Sequence, residues 1–195
     1  LLTDNLFILP SVIYPDTVPP LIISITLDMG SNLLIIELNE PANLGSISIT
    51  GFRIQSTAGS KANSRLLTNG VVSTNGTIVT INFSKKDEAI IKITAGLAKD
   101  ISTSYLSLDF KPLSDIAGNF LGIVLDTNAR QVDVYITDTI RPFLSKTFGL
   151  DLTLNILTLI FSEPVRSNFD VTSITLQPSF LTVPAMRLQL TGGIV

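Results

Sequence analysis

The residues with most to offer chemically are two Glu-Pro pairs, Glu40-Pro41 and Glu163-Pro164, and the aspartates Asp16 and Asp138. Glu40 and Glu163, with Asp16, Asp138, Asp115 or Asp126 nearby, could supply hard oxygen ligands to calcium at a domain junction. Calcium wants about six to eight oxygens, and it is usually met by closely spaced acidic motifs such as D-x-D-x-D, which are absent here. The competing reading makes each carboxylate an acceptor for backbone or hydroxyl donors at a strand end, and that structural role is the expectation. A carboxylate pair for glycoside hydrolysis could be drawn from Asp115, Asp109 and Glu88. Nothing in their spacing requires it, and with no Trp and 3 Tyr the aromatic platforms for a sugar are thin.

Other chemistry is ruled down by absence from the sequence. The chain has no His and no Cys. The commonest general base and metal ligand are therefore missing, and so are thiolate catalysis and zinc knuckles. A non-enzymatic role with no required cofactor is the expectation. Asn75-Gly76-Thr77 and Asn82-Phe83-Ser84 are N-glycosylation sequons, meaningful if the chain comes from a eukaryote.

Net charge is −3, and the Lys and Arg residues are scattered without forming a stripe, which argues against nucleic-acid partners. The chain is 45% hydrophobic and 15% charged, with a mean hydropathy of +0.47. Its apolar runs, such as Ile156 to Phe161, are strand-sized, so no membrane insertion is expected in this segment.

These residues sit on a repeat. Asp16-Thr17-Val18-Pro19-Pro20 returns as Asp138-Thr139-Ile140-Arg141-Pro142, and Asn32 to Pro41 returns as Asn155 to Pro164. Ile49 to Gln55 matches Val171 to Gln177, and Leu66 to Val72 matches Gln189 to Val195. The spacing holds at 122 to 123 residues (16 to 138, 40 to 163). Four collinear matches at one spacing mark a tandem architecture. Residues 1–15 then read as the last strand of a preceding domain, 16–137 as a whole domain, and 138–195 as the first part of a following, truncated one. The joints between them fall at Pro15-Asp16-Thr17 and Thr137-Asp138-Thr139.

Within the whole repeat, alternation at Leu21 to Leu27 and at Leu33 to Leu38 predicts half-buried strands. Asn75-Gly76 between Val71-Val72-Ser73 and Thr77 to Phe83 predicts a hairpin with a type I′ turn. Ser84 to Glu88, followed by Ile90, Ile93 and Leu97 with Gly96 at the stop, predicts one short helical insert capped by Ser84. Strands resume at Tyr105 to Phe110, Phe120 to Leu125 and Gln131 to Ile136. About seven strands in such a length fit an all-β, immunoglobulin-like sandwich.

Three motifs carry a resemblance: Asp-Thr-x-x-Pro at the domain start, Phe161-Ser162-Glu163-Pro164-Val165 at a strand end, and Asp115-Ile116-Ala117-Gly118-Asn119. Together they resemble the bacterial Ig-like repeats of S-layer and large adhesin proteins. Ile174 to Gln177 and Leu190 to Gly193 are similar to a related repeat in giant surface proteins of protists and sponges. Leu38-Asn39-Glu40-Pro41-Ala42 departs from the Phe-Ser-Glu-Pro-Val form. The resemblance implies extracellular or cell-surface tandem arrays acting as stalks, coats, adhesins or filaments, without catalytic residues. The expected function is a structural building module whose partners are neighbouring repeats and other subunits. The alternative is an adhesin that binds carbohydrate or protein through loops such as Ser56 to Ser64, expected to be mobile.

Overall fold

The computed structural model describes residues 12–109, 111–165, 169–178 and 186–194. The chain is mostly β and forms two compact units, Leu1–Ile140 and Arg141–Val195. Of the strand expected over residues 1–15, residues 1–11 lie outside the described part, and residues 12–15 belong to no strand.

The first unit opens with an antiparallel hairpin of β1 (Ile22–Asp28) and β2 (Leu33–Leu38). It continues through β3 (Phe52–Thr57), β4 (Ser60–Leu66), β5 (Gly70–Asn75), β6 (Ile78–Phe83), α1 (Lys85–Ile93), β7 (Tyr105–Leu108), β8 (Arg130–Gln131) and β9 (Val134–Ile136). One sheet has the order β5-β6-β2-β1-β9, with β9 parallel to β1; the other has the order β4-β3-β7-β8. Both sheets feed one core. Ile25, Leu27, Leu34, Ile36, Val79 and Ile81 come from the first, and Phe52, Ile54, Leu106 and Leu108 from the second. Alternation does this, because every second side chain of a strand points to the same face. Each such aliphatic contributes roughly 1.5–3 kcal/mol by leaving water.

The alternation of β1 holds only after a bulge. Ile22 pairs with Leu38 and Ser24 with Glu37, so one extra residue is fitted into β1. The phase of the side chains flips there. Ile22 packs on the core while Leu21 and Ile23 face solvent, against the expectation that both would share the face of Ile25 and Leu27. Arg130 stabilises the bulge: its guanidinium donates to the carbonyls of Ile22 at 2.8 Å and Ile23 at 2.9 Å. Asp133 accepts from the Ile25 N–H at 2.8 Å and pairs with Arg130 at 3.0 Å. That cluster breaks the expected strand Gln131 to Ile136 in two, with β8 in one sheet and β9 in the other.

Three other expectations need correcting. In the β5–β6 hairpin Asn75 is the last paired residue, opposite Ile78, and Gly76 at φ +60° is first of the two turn residues. Thr77 is not at positive φ, so the pattern is that of a type II′ turn, not type I′. Ser56 to Ser64 form no open loop: they build the β3–β4 hairpin, whose polar outer strand β4 forms the sheet edge. Phe120 to Leu125 contribute only isolated bridges, Ser114 to Phe120 and Leu108 to Val124.

The helix starts as expected, with the Ser84 hydroxyl accepting from the Asp87 N–H at 3.2 Å. Its buried face is Asp87, Glu88 and Ile91, whereas Ile93 is exposed. The helix turns two carboxylates inward because each meets cations or donors there. Past the end of α1, Gly96 (φ +71°) turns the chain, and Leu97 enters the core.

The second unit contains the antiparallel pair β10 (Leu144–Asp151) and β11 (Ile156–Phe161), and the short pair β12 (Thr175–Leu176) and β13 (Leu188–Gln189). Its β10–β11 turn is built like the β1–β2 turn. Asp151 Oδ1 accepts from the N–H groups of Thr153 at 2.8 Å and Leu154 at 3.0 Å. Asp28 Oδ1 accepts from Gly30 and Ser31, both at 2.9 Å. Asn155 stands at φ +58° and Asn32 at φ +59°, the left-handed region that Asn tolerates better than other side chains. At the open end of the hairpins, Ser162 Oγ accepts from the Phe143 N–H at 3.0 Å, where Asn39 Oδ1 accepts from the Leu21 N–H at 2.6 Å.

Candidate functional site: a carboxylate cluster at the start of the first unit

Asp16, Glu40 and Asp115 bring one carboxylate oxygen each within 4.8 Å of one another. Among the described residues this is the one cluster of three such groups. Each arrives by a local device. Asp16 folds back on itself, Oδ1 accepting from the Val18 N–H at 3.0 Å, ahead of Pro19-Pro20. Glu40 follows Asn39, whose side chain and N–H both hold Leu21. Asp115 is fixed by an antiparallel bridge to Ala42, which brings the Glu-Pro segment alongside the Asp115–Asn119 loop.

Asp115 is buried, and its loop supplies its donors. Oδ1 accepts from Gly118 N–H at 2.6 Å and Asn119 N–H at 2.8 Å, and Oδ2 from the Asn119 amide at 2.8 Å. Gly118 permits this closure through its φ of +97°. The same Asn119 amide donates to the Asp16 carbonyl at 3.2 Å, joining the two ends of the site. Burial alone would raise the Asp115 carboxyl. The Asn119 side chain and the N–H groups of Asn119, Gly118 and Ala117 outweigh it and hold the group below its ordinary 3.8. Glu40 goes the other way: desolvation, then the charges of Asp16 and Asp115, push it above its ordinary 4.5.

The site can therefore do one of two things. It can take up a proton at Glu40 more readily than an isolated glutamate does, or it can seat a hard cation whose remaining ligands, toward the six to eight or so that calcium takes, come from water or a neighbour. Three carboxylates and a carbonyl already bonded to Asn119 do not complete such a shell by themselves.

The other expected residues are placed elsewhere. Asp138 pairs with Lys92 at 2.7 Å and caps the Ile140 N–H at 2.9 Å. Asp126 pairs with Lys61. Glu163 lies in the second unit, at the Glu-Pro step after β11. Of the joint residues, Pro15, Asp16, Thr17, Thr137 and Thr139 are exposed and Asp138 is half-buried. Asn75 is exposed at the hairpin tip, and Asn82 is exposed between the buried Ile81 and Phe83. Asp109 and Glu88 do not join Asp115; Glu88 is held by Lys85 at 2.8 Å and Lys92 at 3.0 Å.

Two structural polar centres escaped the sequence reading. Asp87 is wholly buried and takes bonds from Arg65 Nε (2.7 Å), Thr68 N–H (2.9 Å), Asn69 N–H (3.2 Å) and Ser84 Oγ (2.9 Å). Gln55, also wholly buried, donates to the carbonyls of Thr57 and Asp126, both at 2.8 Å, and accepts from Ser107 Oγ at 3.0 Å. The spacing Ser84-x-x-Asp87 and the Gln that recurs at position 177 were the available signals. Compared with protein-family models, with curated proteins and with solved structures, the chain matches none.

Proposed function

We propose that this chain is a structural building module of an extracellular filament, surface coat or hair-like appendage, made of tandem immunoglobulin-like β-sandwiches. The observation that carries the reading is the β1–β2 hairpin and its β10–β11 counterpart. They share an Asp-capped turn, an Asn at the same left-handed φ and the same polar latch at the base, 122 to 123 residues apart. Chains that repeat their hydrogen bonds as well as their sequence build quasi-one-dimensional arrays. In such an array each sandwich is a stiff bead. The joints at Pro15-Asp16-Thr17 and Thr137-Asp138-Thr139 set the angle between beads, with Asp capping the next N–H groups. Exposed apolar side chains on the first unit, among them Leu21, Ile23, Ile123 and Leu125, would serve lateral packing against other subunits.

The role is non-catalytic, and Asn75 is the accessible glycan acceptor if the source is eukaryotic. Electron microscopy of the native assembly, with and without a calcium chelator, tests this reading. Filaments or sheets with a regular domain-length repeat are expected. Isolated flexible monomers would overturn it, and disassembly on chelation that Glu40→Gln reproduces without the chelator would assign a cation to the Asp16–Glu40–Asp115 cluster.

A further inference from the structure

The second unit carries an open apolar face. Leu150, Leu157, Leu159, Phe161, Ile174 and Leu176 line a cavity of about 680 Å³. At the repeat spacing these positions correspond to Leu27, Leu34, Ile36, Leu38, Phe52 and Ile54, each of them no more than 2% exposed. In the first unit that face is covered by the segment running from β6 through α1 to β7, with Val79, Ile81, Phe83, Ile91, Leu106 and Leu108 turned into the same core. Strand β6 is also bonded along the edge of β2 that β1 leaves free, from Leu33 opposite Asn82 to Glu37 opposite Ile78. In the second unit β11 has β10 on one edge and, among the described residues, no strand on the other. A bare strand edge beside an apolar trough is a template for an added strand.

We infer that this face is a receptor for one kind of occupant: a polypeptide with the pattern of residues 73–137 of this chain. Its counterpart of β6 adds antiparallel to β11 and drops three alternating apolar side chains into the trough, as Val79, Ile81 and Phe83 do in the first unit. The partner is thus chosen by strand direction and by side-chain alternation. It is neither a small apolar ligand nor a helix. The inference rests on the tandem-repeat reading, because that reading supplies the correspondence of positions.

The test compares the whole chain with the whole chain extended after Val195 by a second copy of residues 73–137. Hydrogen exchange is followed at the β11 amides, with binding of an apolar-surface dye as a second readout. The extension should slow exchange of alternate β11 amides at least tenfold and abolish dye binding to the second unit. Ile81→Asp in the appended copy alone should restore both signals. Unchanged β11 exchange in the extended chain, or equal protection by a scrambled extension, would overturn the inference. The two readings fail separately. Regular filaments without β11 protection would remove the receptor and leave the array, whereas β11 protection without filaments would do the reverse.

Discussion

Arg65 donates through Nε to the wholly buried carboxylate of Asp87 at 2.7 Å, tying edge strand β4 to the first turn of α1. Removing the carboxylate strands the Arg65 guanidinium and the N–H groups of Thr68 and Asn69. Asp87→Ala should cost the first unit about 3–5 kcal/mol, the usual scale for breaking a buried pair. Asp87→Asn keeps part of the hydrogen bonding and should cost less. Urea denaturation followed by far-ultraviolet circular dichroism measures both.

Acid should unfold the first unit through α1. Burial would raise Asp87 and Glu88, but the N–H of Thr68 and the Arg65 guanidinium at Asp87, and Lys85 and Lys92 at Glu88, hold them below their ordinary 3.8 and 4.5. A carboxyl lowered in the folded state binds fewer protons there than in the unfolded chain. Its stabilisation is complete above the unfolded value and lost as pH falls through the folded one. Lys92→Met should move the acid midpoint upward. An unchanged midpoint would mean that Lys92 contributes nothing to holding Glu88 ionised.

Glu40 has the opposite sign. Its folded value lies above 4.5, so the folded state binds the extra proton, and stability from this group declines as pH rises from 4.5 through the folded value. Glu40→Gln should therefore leave stability unchanged near pH 3.5, where both side chains are neutral, and increase it at pH 7 in metal-free buffer. Thermal melts at the two pH values check this. The same comparison in millimolar calcium separates the two capacities of the cluster, since a bound cation makes the variant the less stable protein.

Gln55→Leu should be among the more damaging core substitutions despite its apolar gain. It leaves the Thr57 and Asp126 carbonyls and the Ser107 hydroxyl without their buried partner. Each orphaned group costs roughly 1–3 kcal/mol, so a loss of several kcal/mol in chemical denaturation is expected. The double change with Ser107→Ala should recover part of it.

Arg130→Met preserves the aliphatic stem and removes the donors to Ile22 and Ile23. A loss of about 1–3 kcal/mol is expected, with faster exchange confined to β1 and β9. Uniform loss across both sheets would show that Arg130 does more than hold the bulge.

Sequence alone determined what depends on local pattern. Period-two alternation placed β2, Ser84 three residues before Asp87 gave the helix cap, and Asn-Gly marked the β5–β6 hairpin. It also exposed the recurrence of Asn32 as Asn155 and of Asp16 as Asp138, whereas the Asp28 and Asp151 caps of the two turns emerged only from the structure. What depends on partners distant in the chain was decided by the tertiary structure. The bulge that turns Ile23 outward depends on Arg130 and Asp133, more than a hundred residues away, and so does the break between β8 and β9. The helix face was misread for the same reason. A rule that places apolar side chains inward favours Ile90, Ile93 and Leu97; Leu97 does reach the core from beyond the helix, but on the helix itself the fold brings Arg65 and Thr68 to a buried Asp87 while Ile93 faces solvent. Asp115 joined Asp16 and Glu40 through a bridge to Ala42, while Asp138 went to Lys92. A carboxylate's partner is set by position in space, and one sequence motif repeated twice does not carry that information.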